Sequence, residues 1–371
     1  MLHDLKKYNQ STPIWPSDFC IDGKEVYFFH GSMNALLKYD LNSEHAEMLT
    51  VLPDEPMLRE FTICTVLKYG KDIFMIPAWG QDIAVYNQQT RKCKVLNLPE
   101  RQNYSNRLTF SNAFIVEDNI FCIPDSYHSI IKVNVHTKEI EYLFSTTSFF
   151  KDYFQFDNVS INASVYDGKE NIYCIITGTN KLMVYNIEKN EAEIISVGND
   201  GSIFSTINYI DGKLYLSDYL SKAFDRKVFI YDINTKEVEI ICNIPYDGFA
   251  IHALQNGDYM VDSFYNGGFM IFNENNKLIF EQGNTERVYG GDLNYSYHYG
   301  IVRHYGNKYI YYNRHNNELW IVNDRQIEKK VIIHAEDIDN HIEISSIYGR
   351  YIIENGIFNL AWLVSGLGGA E

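Results

Sequence analysis

The stretch Lys227-Val-Phe-Ile-Tyr-Asp-Ile-Asn-Thr-Lys-Glu-Val-Glu-Ile-Ile241 holds two apolar runs on either side of a polar turn. Apolar residues alternate up to Tyr231, Asp232 to Thr235 interrupt them, and a second alternating run begins at Val238, the pattern of a β-hairpin. The Asp232 side chain can bond the backbone two residues on, which favours the turn over a longer strand. The pattern recurs at Tyr39-Asp40, Tyr86-Asn87, Val133-Asn134, Tyr185-Asn186, Phe272-Asn273 and Val322-Asn323. Ser or Thr follows three residues later at Ser43, Thr90, Thr137 and Thr235. The chain is therefore built from repeats.

About fifteen residues before each of these corners stands a second landmark, a turn leading into an apolar run. It reads Asp22-Gly23 before Val26–Phe29, Tyr69-Gly70 before Ile73–Ile76, and Glu117-Asp118-Asn119 before Ile120–Ile123. Gly168, Gly212, Gly257, Gly306 and Gly349 mark the later turns. Successive anchors lie 43 to 51 residues apart, and four short strands fit each interval. That period predicts a β-propeller of four-stranded blades, a single all-β domain over residues 1–371. In the second unit the strands fall near Phe61–Lys68, Asp72–Pro77, Asp82–Asn87 and Lys92–Leu96. No stretch between units carries a helical period.

The chain end bears on blade number. Tyr351 to Trp362 repeats the spacing of Tyr309 to Trp320, so Phe358–Val364 reads as the third strand of an eighth unit. Eight blades are favoured over seven. Residues 3–10 are expected to supply the missing strand and close the ring against the C-terminal blade, removing exposed sheet edges.

A formal charge of −16, from 48 acidic and 32 basic residues, argues against a nucleic-acid partner, which needs clustered cations. No apolar run is long enough to span a membrane, and Met1 to Gln10 lack the apolar core of a secretory signal, so a cytoplasmic location is expected. The cysteines Cys20, Cys64, Cys93, Cys122, Cys174 and Cys242 show no paired short spacing and read as reduced core thiols. No cofactor and no metal site is expected.

Through the turn glycine, the aromatic strand and the aromatic-Asp corner with its following Thr, the chain resembles the broad group of kelch-like and quinoprotein-like bacterial β-propellers. Paired glycines of the kelch kind occur only at Gly267-Gly268, and the tryptophan docking motifs of quinoprotein repeats are missing. The resemblance implies a fold and no particular activity.

In a propeller the starts of the inner strands and the loops after the second strands meet around one mouth of the central channel. Inner-strand starts contribute Arg59, Glu60, Arg107, Asn158, His252 and Tyr297. The loops add Trp79, Asp125, Tyr127, His128, Asp218, Tyr219, Asp262, Tyr265 and Arg314. Aromatic faces with orienting charges suit a saccharide or a peptide. These residues are the expected ligand-binding set of a binding or scaffolding protein whose partner is a protein, peptide or glycan. The alternative is a lyase or epimerase acting on a carbohydrate or peptide. There His298, His341 and Glu343 would serve as base or metal ligands, with Arg59 and Arg107 neutralising a substrate carboxylate.

Overall fold

The computed structural model describes residues 16–30, 34–52, 63–78, 80, 82–98, 109–154, 159–199, 201–218, 227–241, 244, 249–254, 257–263, 268–282, 301–313, 318–323, 326–334 and 338–339. They form seven four-stranded antiparallel blades. Blade 1 is β1 (Asp18–Asp22), β2 (Glu25–His30), β3 (Ala35–Asp40) and β4 (His45–Val51). Blade 2 is β5 (Ile63–Tyr69), β6 (Asp72–Pro77), β7 (Ile83–Asn87) and β8 (Lys92–Leu96), and blade 3 is β9 (Phe110–Val116), β10 (Asn119–Pro124), β11 (Ser129–Asn134) and β12 (Ile140–Ser145). Blade 4 is β13 (Ile161–Tyr166), β14 (Asn171–Ile176), β15 (Lys181–Asn186) and β16 (Glu191–Ser196), and blade 5 is β17 (Phe204–Ile210), β18 (Lys213–Asp218), β19 (Val228–Asp232) and β20 (Val238–Ile241). Blade 6 is β21 (Phe249–Ala253), β22 (Tyr259–Ser263), β23 (Phe269–Phe272) and β24 (Leu278–Gln282), and blade 7 is β25 (Ile301–Tyr305), β26 (Lys308–Asn313), β27 (Glu318–Asn323) and β28 (Gln326–Val331). The strands expected in the second unit are present, within two residues of their expected ends.

The corner chemistry explains the strand ends. Asp232 Oδ1 accepts the backbone N–H groups of Asn234 (2.8 Å) and Thr235 (2.9 Å), and Asp40 and Asn134 hold their corners in the same way. Each corner then closes through a left-handed residue, Glu44, Lys138 or Lys236 in these three blades. At the other turn, Gly23 adopts φ 56°, which glycine tolerates; blade 3 places Glu117 there at φ 53° and pays the steric cost of a side chain.

The two middle strands of each blade are buried on both faces. The cores lie between successive blades: Tyr173, Ile175 and Leu182 of blade 4 bury against Phe204, Leu214 and Phe229 of blade 5. The same rule closes the ring and corrects the expected blade number. Phe19, Val26, Phe28 and Leu37 of blade 1 share one core with Ile310, Tyr312, Leu319 and Val331 of blade 7, so no eighth blade stands between them. The four strands described in blade 7 all come from residues 301–331. Residues 3–10 and 351–364, which carried the eight-bladed expectation, lie outside the described residues. The chain instead returns to blade 1 through β29 (Ile338–Asp339), which pairs in parallel with the outer strand β4, Ile338 opposite Ala46.

One helix, α1 (Thr146–Tyr153), was not anticipated. Ser145 caps it by accepting the Ser148 N–H, and Phe150 is buried in the core shared by blades 3 and 4. Its eight residues, beginning Thr-Thr and containing Phe-Phe, are too short and too β-prone to show a period; packing against the sheet holds it helical. No helix among the described residues is long and apolar enough to cross a membrane.

Two outcomes follow. Glu117→Gly should relieve the left-handed strain and stabilise the protein by about 0.5–1 kcal/mol, read as a rise in thermal midpoint of about 2 °C. The Asp232 carboxylate is held below its ordinary pKa, chiefly by the Thr235 N–H. Its stabilising effect is therefore complete above the ordinary carboxylate value of about 4 and is lost as pH falls through the lower folded value. Asp232→Asn keeps the acceptor without the titration, so melting curves on acidification should fall less for the variant than for the wild type.

Candidate functional site

The inner strands carry polar side chains that fasten one blade to the next. Thr65 Oγ1 of blade 2 donates to Asn112 Oδ1 of blade 3 (3.2 Å), and Asn112 Nδ2 donates to the Ser164 carbonyl of blade 4 (3.1 Å). Asn208 of blade 5 reaches the Ile251 carbonyl of blade 6. At closure the buried Asp18 of blade 1 accepts the Val66 N–H of blade 2 (2.7 Å) and Arg303 Nη2 of blade 7 (2.7 Å), while Arg303 Nε donates to the Phe19 carbonyl (3.1 Å). These groups serve the ring.

Polar residues end the second strands on one side of the ring. The second strands of blades 5, 6, 7 and 1 end in Asp218, Ser263, Asn313 and His30, whereas those of blades 2, 3 and 4 end in Pro77, Pro124 and Ile176. His30 and Asn313 are fully buried, and burial drives the His30 pKa down to about 3, so that imidazole is neutral. The polar arc is contiguous, running from blade 5 through closure to blade 1.

Its centre is a histidine on a buried carboxylate. Asp262, 1 % exposed, ends one hydrogen bond at His252 Nε2 (3.1 Å) and accepts another from the Tyr311 hydroxyl of blade 7 (3.3 Å). An ionised carboxylate can only accept, so Nε2 donates, and in the neutral ring Nδ1 is left as the acceptor. His252 retains 15 % side-chain exposure. The arrangement can orient a hydrogen bond or take up a proton at one defined atom.

A second grouping lies on blade 3. The Tyr127 and His128 rings stack at 4.5 Å, His128 stacks on Tyr142 at 5.4 Å, and the two tyrosine hydroxyls share a hydrogen bond of 2.8 Å. Asp125 precedes them, its N–H on the Thr109 carbonyl (3.1 Å). Thiol chemistry finds no support here: burial pushes Cys20 and Cys64 up to about 12, and Cys93 to about 11. Among the described residues no group of three or more His, Cys, Asp or Glu could hold a metal ion.

Of the residues expected from sequence, the structure brings His252 together with Asp262 and Tyr127 with His128, and sets Asp218 at the end of β18. Arg59, Glu60, Trp79, Arg107, Asn158, Tyr219, Tyr265, Tyr297, His298, Arg314, His341 and Glu343 lie outside the described residues. Sequence reasoning missed Tyr311, Tyr142 and the Asp18–Arg303 pair. Tyr311 sits in the apolar run Tyr309–Tyr312 and reads as core; only the ring places it beside a carboxylate 49 residues away.

No protein-family model matches the chain, and neither does any curated protein. Solved structures do. A catalytically inactive histidine-to-alanine variant of virginiamycin B lyase from Staphylococcus aureus with quinupristin aligns with 84 % of this chain and 94 % of its own, at TM-score 0.62 and 10 % identity. BamB from Moraxella catarrhalis covers 88 % and 91 % at TM-score 0.51 and 12 % identity. A chain of the mitotic checkpoint complex covers 86 % and 93 % at TM-score 0.58 and 8 % identity. The shared feature is the β-propeller fold. Nothing in these matches singles out the kelch-like or quinoprotein-like groups.

The buried pair makes an asymmetric prediction. His252→Ala strips the Asp262 carboxylate of a partner inside the protein and should cost about 2 kcal/mol, whereas Asp262→Asn retains an acceptor and a donor and should cost less. Chemical denaturation of the two variants tests the order.

Proposed function

We propose that the protein is a binding scaffold that recognises a partner protein at the channel mouth, over the polar arc of blades 5, 6, 7 and 1. The observation that carries this reading is the part of the arc that reaches solvent, the half-buried Asp218 at the end of β18 and His252 on its buried carboxylate, with Ser263, Asn313 and His30 buried behind them. A rigid ring that presents such a surface loses little entropy on binding. Its five described free thiols accord with the reducing interior expected for a cytoplasmic protein. One of the similar propellers belongs to a multiprotein complex.

A second reading is favoured by one observation, the accessible His252 oriented by buried Asp262. A histidine so held suits proton abstraction from a carbohydrate or peptide substrate, and one similar structure is of a lyase whose histidine-to-alanine variant is inactive.

Tagged protein recovered from its native cell tests both. The binding reading expects a partner recovered with the wild type and reduced about tenfold with Asp218→Lys, at an unchanged melting temperature. Recovery indifferent to that change would overturn it. Turnover of a carbohydrate or peptide that is abolished by His252→Gln would install the catalytic reading instead.

A further inference from the structure

At the rim, the left-handed corner of one blade clasps the blade before it. Arg91 of blade 2 pairs with Glu47 of blade 1, and Lys138 of blade 3 with Asp72 of blade 2 (2.6 Å). Asn190 Nδ2 of blade 4 donates to the Leu143 carbonyl of blade 3 (2.9 Å), and Asn276 Nδ2 of blade 6 to Glu239 Oε1 of blade 5 (2.7 Å). Glu44 of blade 1 pairs with Lys329 of blade 7. Lys236 occupies the same corner of blade 5 at φ 63°, yet among the described residues it makes no bond to blade 4.

The unclasped joint also leaves two neighbouring apolar side chains of its outer strand exposed. Val238 lies opposite Tyr231 in β20, as Cys93 lies opposite Tyr86 and Ala192 opposite Tyr185. Cys93 and Ala192 are half-buried, while Val238 and Ile240 are 36 % and 44 % exposed. Their cross-strand neighbours Tyr231 and Phe229 belong to the core between blades 4 and 5, so Val238 and Ile240 extend that core to the surface. Across the groove stands Glu193 of blade 4, whose charge adds to burial in raising the Tyr231 pKa.

The edge is set for strand addition. Asp232 N–H donates to the Glu237 carbonyl (3.0 Å), and antiparallel alternation then turns the backbone groups of Val238 and Ile240 outward. On blade 1 the equivalent residue, Ala46 opposite Tyr39, already carries an added strand through Ile338. We propose that the rim groove between blades 4 and 5 docks an extended segment of a partner protein, added to β20 as a fifth strand and alternating basic with apolar residues. Glu237 and Glu239 alternate with Val238 and Ile240 onto the blade 6 face of β20, and Glu193 stands at the groove, so an added strand that sets apolar residues beside Val238 and Ile240 and basic residues beside Glu237 and Glu239 is complementary. A second copy fits badly, because antiparallel pairing of two β20 strands sets Glu239 opposite Glu239.

The test is fluorescence anisotropy with a short labelled peptide of alternating lysine and valine, at about 0.15 M salt to suppress non-specific attraction. The expected result is saturable binding, weakened at least about tenfold by Ile240→Lys or Glu193→Lys, with amide exchange slowed at Val238 and Ile240. Both substitutions are at accessible positions, and melting curves verify folding. No binding, equal binding of a glutamate–valine peptide, or protection mapped to the channel mouth would overturn the proposal. So would concentration-dependent dimerisation abolished by Ile240→Lys, which would assign the groove to a second copy.

Discussion

Everything in this fold rests on the fact that a single blade cannot bury both of its faces. Each sheet is apolar on both sides and finds cover only from its two neighbours, so a row of blades is stable only when it closes on itself. Closure is achieved by the same chemistry as every other joint: Phe19 and Phe28 pack on Ile310 and Tyr312, with Asp18 and Arg303 fastening the inner strands. The ring needs no special closing element at its core. The short parallel strand Ile338–Asp339 works at the outer edge, where it covers β4.

Local signals made the blade legible. The Asp232 corner and the turn at Gly23 are written in residues that act on their own backbone, so they can be found without knowing what the chain packs against. Blade number is a different kind of quantity. The period of the anchors continues through Gly349 and Tyr351, and a count of repeats cannot say which units enter the ring. That is decided by whether blade 7 fits blade 1, a matter of side-chain cores drawn from opposite ends of the chain. The helix Thr146–Tyr153 escaped for a related reason: its conformation is imposed by the sheet on which Phe150 lies.

The site was half legible. Polar residues at strand ends, such as His252 and Asp262, announce themselves as candidates, and the two do meet. Their third partner, Tyr311, is buried within an aromatic strand whose sequence says only that it is apolar. The inner Thr65 and Asn112 show the opposite confusion, for residues that look like a hydrated channel lining act as bolts between blades.

The rim clasps have a direction. Arg91, Lys138, Asn190 and Asn276 each reach backward to the preceding blade, so load is passed around the circumference in one sense, like staves in a hooped barrel. A hoop missing one fastening bends at that place. Where Lys236, among the described residues, makes no bond to blade 4, separating the two blades at the rim breaks one polar contact fewer than at the joints held by Arg91, Lys138, Asn190 and Asn276.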